Sequence, residues 1–202
     1  MSEDRLTPEK IKALLAGYRP RTRAPREGLR PASVLIPFYP DPEGPSVVFT
    51  KRTDHLDKHA GQISFPGGAR DPEDANALAA ALRETWEEIG VRPEDVEVWG
   101  RINQESTITD YSIAPFVGII PFPYEFRIDP FEVERLIIVP LSHLLDPATE
   151  EVEYFPWLGM EYKGYRYPYG ADVIWGATAR ILHNFLSLMT TGREPDEPHY
   201  LR

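Results

Sequence analysis

Residues 67–91 read GGARDPEDANALAAALRETWEEIGV and contain the clearest helical pattern of the chain. At about 100° per residue, an apolar row falls on one side of a helix over 75–90. That row consists of Leu78, Ala81, Leu82 and Ile89, with the polar Thr85 on the same side. Gly90 follows the last apolar residue, a position where glycine ends many helices. The sequence therefore predicts an amphipathic helix over 75–90, introduced by a Gly-Gly turn.

Three glutamates share a second side of this predicted helix. Glu84, Glu87 and Glu88 are spaced i, i+3 and i+4, which brings their Cβ atoms within about 5–6 Å of one another. An acidic triplet by itself is more often a solvated surface, although like charges at this spacing repel. A bound divalent cation would turn the repulsion into attraction, because hard cations prefer carboxylate oxygens. The preceding Gly-Gly turn, Arg83 and Gly90 favour the cation site.

The segment resembles the signature of the Nudix hydrolases, G-x5-E-x7-R-E-U-x-E-E-x-G-U, where U is a bulky aliphatic residue. The matching positions are Gly68, Arg83, Glu84, Glu87, Glu88, Gly90 and Val91. Asp74 stands in place of the early glutamate, with eight rather than seven residues between it and Arg83, and Thr85 occupies the first U position. The resemblance implies an α/β/α sandwich around a curved mixed sheet and a hydrolase that cleaves nucleoside diphosphate derivatives. In the family the early acid pairs with the arginine.

The same resemblance implies a Mg²⁺ or Mn²⁺ site. It makes Glu84, Glu87 and Glu88 metal ligands and catalytic residues, adds the Gly68 carbonyl as a ligand, and counts Arg83 with the catalytic residues. A general base is also needed, either one of these glutamates or an acid from a later loop. Glu132 is the first candidate in that loop and Glu134 the second, although a solvated turn is the commoner role for such acids.

The preceding residues 49–68 read FTKRTDHLDKHAGQISFPGG. They resemble an additional motif of the coenzyme A diphosphatase branch, approximately L-L-T-x-R-S-x3-R-x3-G-x3-F-P-G-G, which we call the upstream motif. Matches occur at Thr50, Arg52, Gly61, Phe65, Pro66, Gly67 and Gly68, with Lys58 near the second basic position and Thr53 replacing the serine. That branch is implied to hydrolyse coenzyme A to 4′-phosphopantetheine and adenosine 3′,5′-bisphosphate. The alternatives are another substrate, such as ADP-ribose or NADH, and a non-catalytic nucleotide-binding module.

The candidate substrate-binding residues lie around this motif. Arg52, at a predicted strand end, is positioned to hold a phosphate, and Arg70 follows the Gly-Gly turn. Lys58 and His59 are candidates for the diphosphate or the 3′-phosphate, and Gln62 is a further candidate for substrate contact. His55 and His59 are four apart, but no helix or strand is evident there, so we predict no two-histidine zinc site.

The composition limits which molecules the protein is expected to bind and where in the cell it is expected to act. The 202 residues include 22 Lys and Arg against 32 Asp and Glu, a net charge of −10 that opposes non-specific nucleic-acid binding. The absence of cysteine excludes disulfides, thiolate zinc sites and iron–sulfur clusters. Neither a signal pattern nor a membrane-spanning stretch is evident. We therefore expect a cytoplasmic protein that acts on a small molecule and binds no membrane.

The rest of the chain predicts a mixed α/β domain. Strands are expected near 32–39, 46–52, 61–65, 96–103, 112–121 and 135–139, with a hairpin over 152–169 and a helix over 175–188. We expect an N-terminal helix and arginine-rich arm at 1–30, a Nudix domain at 31–190 and a polar tail at 191–202. The arm is a solvated linker, a 3′-phosphate contact or a homodimer contact. The hairpin lines a pantetheine pocket or a subunit interface.

Overall fold

A computed structural model describes residues 6–21, 28–55, 60–107, 109–157, 160–195 and 200–201. Within these ranges the helices are α1 (Pro8–Gly17), α2 (Ala77–Ile89), α3 (Leu141–Leu144) and α4 (Gly176–Thr191). The strands are β1 (Arg30–Asp41), β2 (Gly44–Arg52), β3 (Ile63–Ser64), β4 (Gly67–Ala69), β5 (Glu97–Arg101), β6 (Glu105–Ser106), β7 (Tyr111–Ile119), β8 (Val133–Pro140), β9 (Glu151–Trp157), β10 (Met160–Tyr169), β11 (Asp172–Trp175) and β12 (Tyr200–Leu201).

The main sheet is mixed and is built around β1. Along one edge, β1 runs parallel to β7, from the pair Arg30 and Tyr111 to the pair Phe38 and Ile119. Along its other edge, β1 pairs antiparallel with β4 near its start and with β2 near its end. β3 and β8 pair with β2, while β5 and β6 pair with β7. The combination of parallel and antiparallel pairs confirms the predicted mixed sheet.

Helices cover both faces of this sheet. α2 packs on one face, where Leu35, Ala81 and Phe116 belong to one buried cluster. α1 and α4 cover the opposite face, where Ile11 and Phe185 belong to a larger cluster. Apolar area removed from water on both faces stabilises the three layers together. The α/β/α sandwich is therefore confirmed.

The helix ends follow from local chemistry. Thr7 caps α1 through its side-chain oxygen, and Pro8 occupies the first turn, where a helix tolerates proline. Asn76 accepts a 3.0 Å hydrogen bond from the Ala79 N–H, so α2 begins at Ala77, two residues later than predicted. Gly90 ends α2 in the left-handed conformation, with φ at 72°. None of the described helices has the length and apolar character needed to cross a membrane.

A second sheet stands beside α4. The predicted hairpin is formed by β9 and β10, whose antiparallel register begins with the pair Glu151 and Arg166. β11 pairs antiparallel with β10 near Arg166, and β12 pairs with β10 near Tyr162. The segment expected to be a polar tail thus contributes a short strand, and its Glu194 is buried.

A buried ion pair connects the second sheet, α4 and the main sheet. Arg180 of α4 places its Nε 3.2 Å from Oε1 of Glu105 in β6. The Tyr162 ring of β10 packs against the guanidinium, with 4.6 Å between Cζ and the ring centroid. Arg180 is 7% exposed and Glu105 only 2%. This cluster therefore joins three elements that are far apart in sequence.

Candidate active site

Glu88 is the most deeply buried of the three predicted glutamates. It is 2% exposed, and its Oε2 accepts a hydrogen bond of 3.3 Å from the Gly67 N–H. Arg52 of β2 lies on its other side, with Nη1 3.5 Å from Oε1. Burial raises the pKa of the Glu88 carboxyl to about 8, Arg52 opposes this rise, and the nearby Glu84 carboxylate adds to it. The C-terminal turn of α2 thus holds a buried carboxylate whose negative charge Arg52 only partly balances.

Arg83 organises the more exposed acids of the same helix. Its Nε and Nη2 donate to the two carboxylate oxygens of Asp74, at 3.1 and 3.0 Å. Its Nη1 donates to Glu84 at 3.0 Å and to Glu87 at 2.8 Å. Hydrogen bonding from Arg83 lowers the pKa of Asp74, and Asp74 in turn raises the pKa of Arg83. The pairing of early acid and arginine that the family resemblance implies is present, despite the altered residue and spacing.

The Gly-Gly turn allows α2 to approach β4 closely. A Cβ atom on Gly68 would lie 2.5 Å from the Glu84 carboxyl carbon. A Cβ atom on Gly67, where φ is 149°, would lie 2.3 Å from the Ser33 carbonyl oxygen. Gly67 is therefore required by space and by conformation, whereas a side chain at Gly68 would displace the Glu84 carboxylate. Because Gly68 has no side chain, the Glu84 carboxylate lies against the Gly68 backbone.

Glu132 reaches the same site from the turn before β8. Its Oε2 lies 3.7 Å from Nη2 of Arg52, so one guanidinium lies between the Glu88 and Glu132 carboxylates. Glu132 also acts electrostatically on Glu84 and Glu88, whose pKa values are raised chiefly by burial and further by this neighbour. With 42% of its side chain exposed, Glu132 remains accessible to water.

Glu134, the second candidate base, faces another part of the molecule. A β-bulge interrupts the pairing of β2 with β8: Lys51 pairs with Arg135, but Arg52 pairs with Val133. Regular pairing would place Glu134 opposite Arg52. Instead, Glu134 forms an ion pair of 3.6 Å with Lys51. The interpretation of Glu134 as a candidate base next to Glu132 is therefore not supported by the geometry, because the bulge separates the two acids.

Sequence reasoning assigned no role to Thr53, which the structure ties to the Glu132 turn. The Thr53 hydroxyl donates to the Phe131 carbonyl at 2.9 Å, and its N–H donates to the Glu132 carbonyl at 3.0 Å. Thr53 is itself buried. The available signal was the hydroxyl residue that the upstream motif places directly after Arg52.

The other predicted substrate-binding residues differ in where the structure places them relative to the site. Gln62 adjoins the site through its backbone, where its carbonyl accepts a 2.9 Å hydrogen bond from the Arg52 N–H. The Arg70 guanidinium donates to the Asp74 carbonyl at 3.2 Å, so it braces the turn before α2. Lys58 and His59 lie outside the described residues.

The arginine-rich arm is described only at its ends, since residues 22–27 lie outside the described ranges. Arg19 donates to the Ala16 carbonyl at 3.2 Å. The Arg30 guanidinium carbon lies 4.3 Å from the centroid of the Tyr111 ring. Both of these side chains therefore contact the protein itself.

The oxygen atoms near Gly68 are suitable ligands for a hard divalent cation. Carboxylate and backbone carbonyl oxygens are the ligands that Mg²⁺ and Mn²⁺ prefer. Across the described residues, however, no three acidic or histidine side chains already surround a common point. Arg83 holds both Glu84 and Glu87. The residue types fit a metal site, and a cation bound by Glu84 and Glu87 would compete with Arg83 for their carboxylates.

Comparison with known proteins agrees with this arrangement. A family model described as a NUDIX domain matches residues 29–162. The chain is 38% identical over 172 residues to a protein of Escherichia coli K12 called uncharacterized Nudix hydrolase NudL, covering 81% of this chain and 85% of that protein. A protein of the same name from Photorhabdus laumondii is 36% identical over 154 residues, covering 76% and 82%.

Among solved structures, a MutT/nudix family protein from Enterococcus faecalis shares the fold. The TM-score is 0.52 at 13% sequence identity, and the match covers 80% of this chain and 62% of that one. The family match extends over well more than half of the sequence and includes β4, α2 and the Glu132 turn. The chain belongs to the Nudix hydrolase family.

Proposed function

We propose that this Nudix hydrolase cleaves the diphosphate bond of coenzyme A or its thioester derivatives, with Mg²⁺ or Mn²⁺ as cofactor. The products would be 4′-phosphopantetheine and adenosine 3′,5′-bisphosphate. Family membership makes the chain an enzyme that hydrolyses nucleoside diphosphate derivatives. Coenzyme A as the particular substrate is the part that we propose.

One observation carries the substrate assignment: the upstream motif and α2 contribute to the same site. Arg52 contacts Glu88, and the Gly67 N–H donates to the same carboxylate. Thr53 holds the turn that carries Glu132. The described part of the motif that resembles the coenzyme A branch therefore adjoins the Nudix carboxylate Glu88. This arrangement supports a joint role for the two motifs in one reaction.

The charges of the site support a metal requirement. Glu84, Glu88 and Glu132 influence one another electrostatically, and Arg52 is the cation that contacts both Glu88 and Glu132. Nudix hydrolases use divalent metal ions, and a bound ion offsets charge on the diphosphate and lowers the pKa of water. We assign Glu84, Glu87, Glu88 and the Gly68 carbonyl as its ligands. Arg83 would anchor the helix through Asp74 when Glu84 and Glu87 turn to the ion.

The remaining residues suit the other requirements of diphosphate hydrolysis. Arg52 presents a guanidinium between two acids, where it can bind a phosphate oxygen and offset negative charge that develops during attack. Glu132 is our candidate general base, because its carboxylate is accessible to water and close to Arg52. A base at this position would take the proton of the attacking water and release it to solvent.

Product analysis tests this proposal. The purified protein is incubated separately with coenzyme A, ADP-ribose and NADH, with Mg²⁺, with Mn²⁺ and with chelator, and the products are separated by chromatography. We expect metal-dependent release of adenosine 3′,5′-bisphosphate from coenzyme A, faster than cleavage of the other two compounds. Cleavage of ADP-ribose or NADH with coenzyme A untouched would contradict the substrate assignment and preserve the metal site.

A matched pair of variants connects that activity to the site. Glu87→Gln removes one proposed ligand that is half exposed, and Glu125→Gln removes the same charge from an exposed position. We expect the first variant to lose most of its metal-dependent turnover and the second to retain it. Equal activities in the two variants would contradict the assignment of Glu87.

A further inference from the structure

A cavity lies across β2 from the carboxylates. It has a volume of about 440 Å³ and is lined by residues that include Lys51, Ile63, Glu153, Arg166, Asp172 and Trp175. This volume falls within the usual range for small-molecule pockets. Lys51 and Arg52 are consecutive in a strand, so their side chains point to opposite faces. The cavity and the catalytic carboxylates therefore flank the same end of β2.

The cavity combines two cations with an exposed aromatic ring. Lys51 has ion pairs of 3.6 and 3.8 Å with Glu134 and Asp172, both longer than a hydrogen bond. Arg166 has one of 3.6 Å with Glu153. Because these contacts are long, N–H donors remain for an anion. Trp175 is 48% exposed, although a large apolar ring is ordinarily covered.

This chemistry matches a phosphorylated nucleoside. A purine can stack on an indole face, as bases do on aromatic side chains. A phosphate suits the Lys51 and Arg166 donors, whereas Glu153 can accept from an exocyclic amine. Asp172 already accepts a hydrogen bond from Arg135. The pantetheine part of coenzyme A is uncharged and would use neither cation. The lining therefore favours the nucleotide part of the substrate.

The cavity is built largely by elements beyond the matched family domain. That domain ends at residue 162, whereas Arg166, Asp172 and Trp175 follow it in β10 and β11. Lys51 and Gly61 belong to the upstream segment that resembles the coenzyme A branch. The cavity thus joins the two parts of the chain that the general Nudix signature does not include.

We propose that this cavity binds the adenosine 3′-phosphate part of the substrate, with Lys51 and Arg166 on the 3′-phosphate and Trp175 against the base. This assignment rests on the proposed function, because coenzyme A carries such a phosphate and ADP-ribose does not. The diphosphate would pass the end of β2 to reach Arg52 on the other face. The 3′-phosphate would then be recognised on the opposite side of the sheet from the cleaved bond.

Direct binding to the protein in chelator tests the cavity without turnover. Calorimetry compares adenosine 3′,5′-bisphosphate with 5′-AMP for the wild type, Arg166→Gln, Lys51→Gln and the control Arg127→Gln, whose side chain is exposed elsewhere. We expect the wild type to bind the bisphosphate about tenfold more tightly than 5′-AMP. Arg166→Gln and Lys51→Gln should each remove most of that preference, whereas Arg127→Gln should keep it. A preference that is absent in the wild type, or unchanged in both cavity variants, would overturn the assignment.

A kinetic comparison separates this inference from the proposed function. For Arg166→Gln we expect KM for coenzyme A to rise about tenfold, with kcat and the KM for 3′-dephospho-coenzyme A unchanged. If the wild type cleaves coenzyme A and the variant treats both substrates as the wild type does, the cavity assignment is wrong and the proposed function stands. If coenzyme A is not cleaved but the bisphosphate preference depends on Arg166, the cavity assignment is supported and the proposed function fails.

Discussion

Glu88 and Glu105 are buried to the same extent, each 2% exposed, but their surroundings differ. Glu105 has a buried arginine of its own, and Tyr162 packs against that cation. Glu88 shares Arg52 with Glu132 and lies near the further acid Glu84. The charges near Glu105 are balanced within the fold, whereas those near Glu88 leave an excess of negative charge. Burial alone therefore does not distinguish a structural carboxylate from one suited to bind a cation; the local balance of charge does.

Glu88→Gln should give the largest effect, and it should act on catalysis rather than on folding. The amide preserves the size of the side chain and an oxygen for the Gly67 N–H, but it removes the charge. We expect kcat to fall about 10³-fold, or ~4 kcal/mol of transition-state stabilisation. Steady-state kinetics at saturating metal measure this, with circular dichroism as the check of folding. A folded variant that keeps a tenth of the wild-type kcat would contradict the distinction drawn between Glu88 and the structural Glu105.

Arg180→Met should act in the opposite way, on folding rather than on catalysis. Removing one partner leaves Glu105 buried without its cation, which costs about 3 kcal/mol or more. Urea denaturation measures this loss. The double variant Glu105→Gln/Arg180→Met should recover much of it, since no unpaired charge remains. Loss of kcat in folded Arg180→Met, without loss of stability, would contradict a structural role for this pair.

Substitution of Thr53 tests whether its hydroxyl positions Glu132 in the site. Thr53→Val removes the hydrogen bond that fixes the Glu132 turn, and Thr53→Ser keeps it. A hydrogen bond of this kind contributes about 1 kcal/mol, so kcat should fall about fivefold in the valine variant. The serine variant should be close to the wild type. If both variants have the same kcat, the hydroxyl does not position Glu132.

The pH dependence of stability tests the excess of negative charge at Glu88 without turnover. Burial raises the pKa of Glu88 from an ordinary value of 4.5 to about 8, so the folded protein binds this proton more tightly than the unfolded chain does. The resulting stability is present below about pH 4.5 and is lost as the pH rises through about 8. In chelator, the melting temperature of Glu88→Gln should therefore fall by about 10 °C less than that of the wild type between pH 5 and 9. Glu125→Gln, which alters an exposed acid, should follow the wild type.

The features predicted from the sequence were those that local patterns determine. The helix, its Gly90 end and the spacing of its three glutamates all lie within one short segment. The burial of Glu88 was not predicted, because a helical projection contains no information about how closely β4 approaches. The pair of Asp74 and Arg83 tolerates the extra residue because Asp74 lies in the turn before α2, where an insertion is absorbed.

Features that depend on contacts between distant segments could not be predicted. Arg180 and Glu105 lie on separate elements, and neither belongs to a motif. The cavity likewise requires β3, β9, β10 and β11 to come together. Alternation along a strand would place Glu132 and Glu134 on one face, and nothing in the sequence marks the bulge that separates them.

That bulge makes a single residue of β8 a determinant of how the chain can evolve. Glu134 is the extra residue between Val133 and Arg135 in the pairing with β2. Its deletion would restore a regular ladder with Val133 still opposite Arg52, so the Glu132 turn would stay beside Thr53. A substitution at Glu134 would leave that register in place. Loss of this one residue should therefore be tolerated, and a homologue shortened here should keep an acid at the position of Glu132.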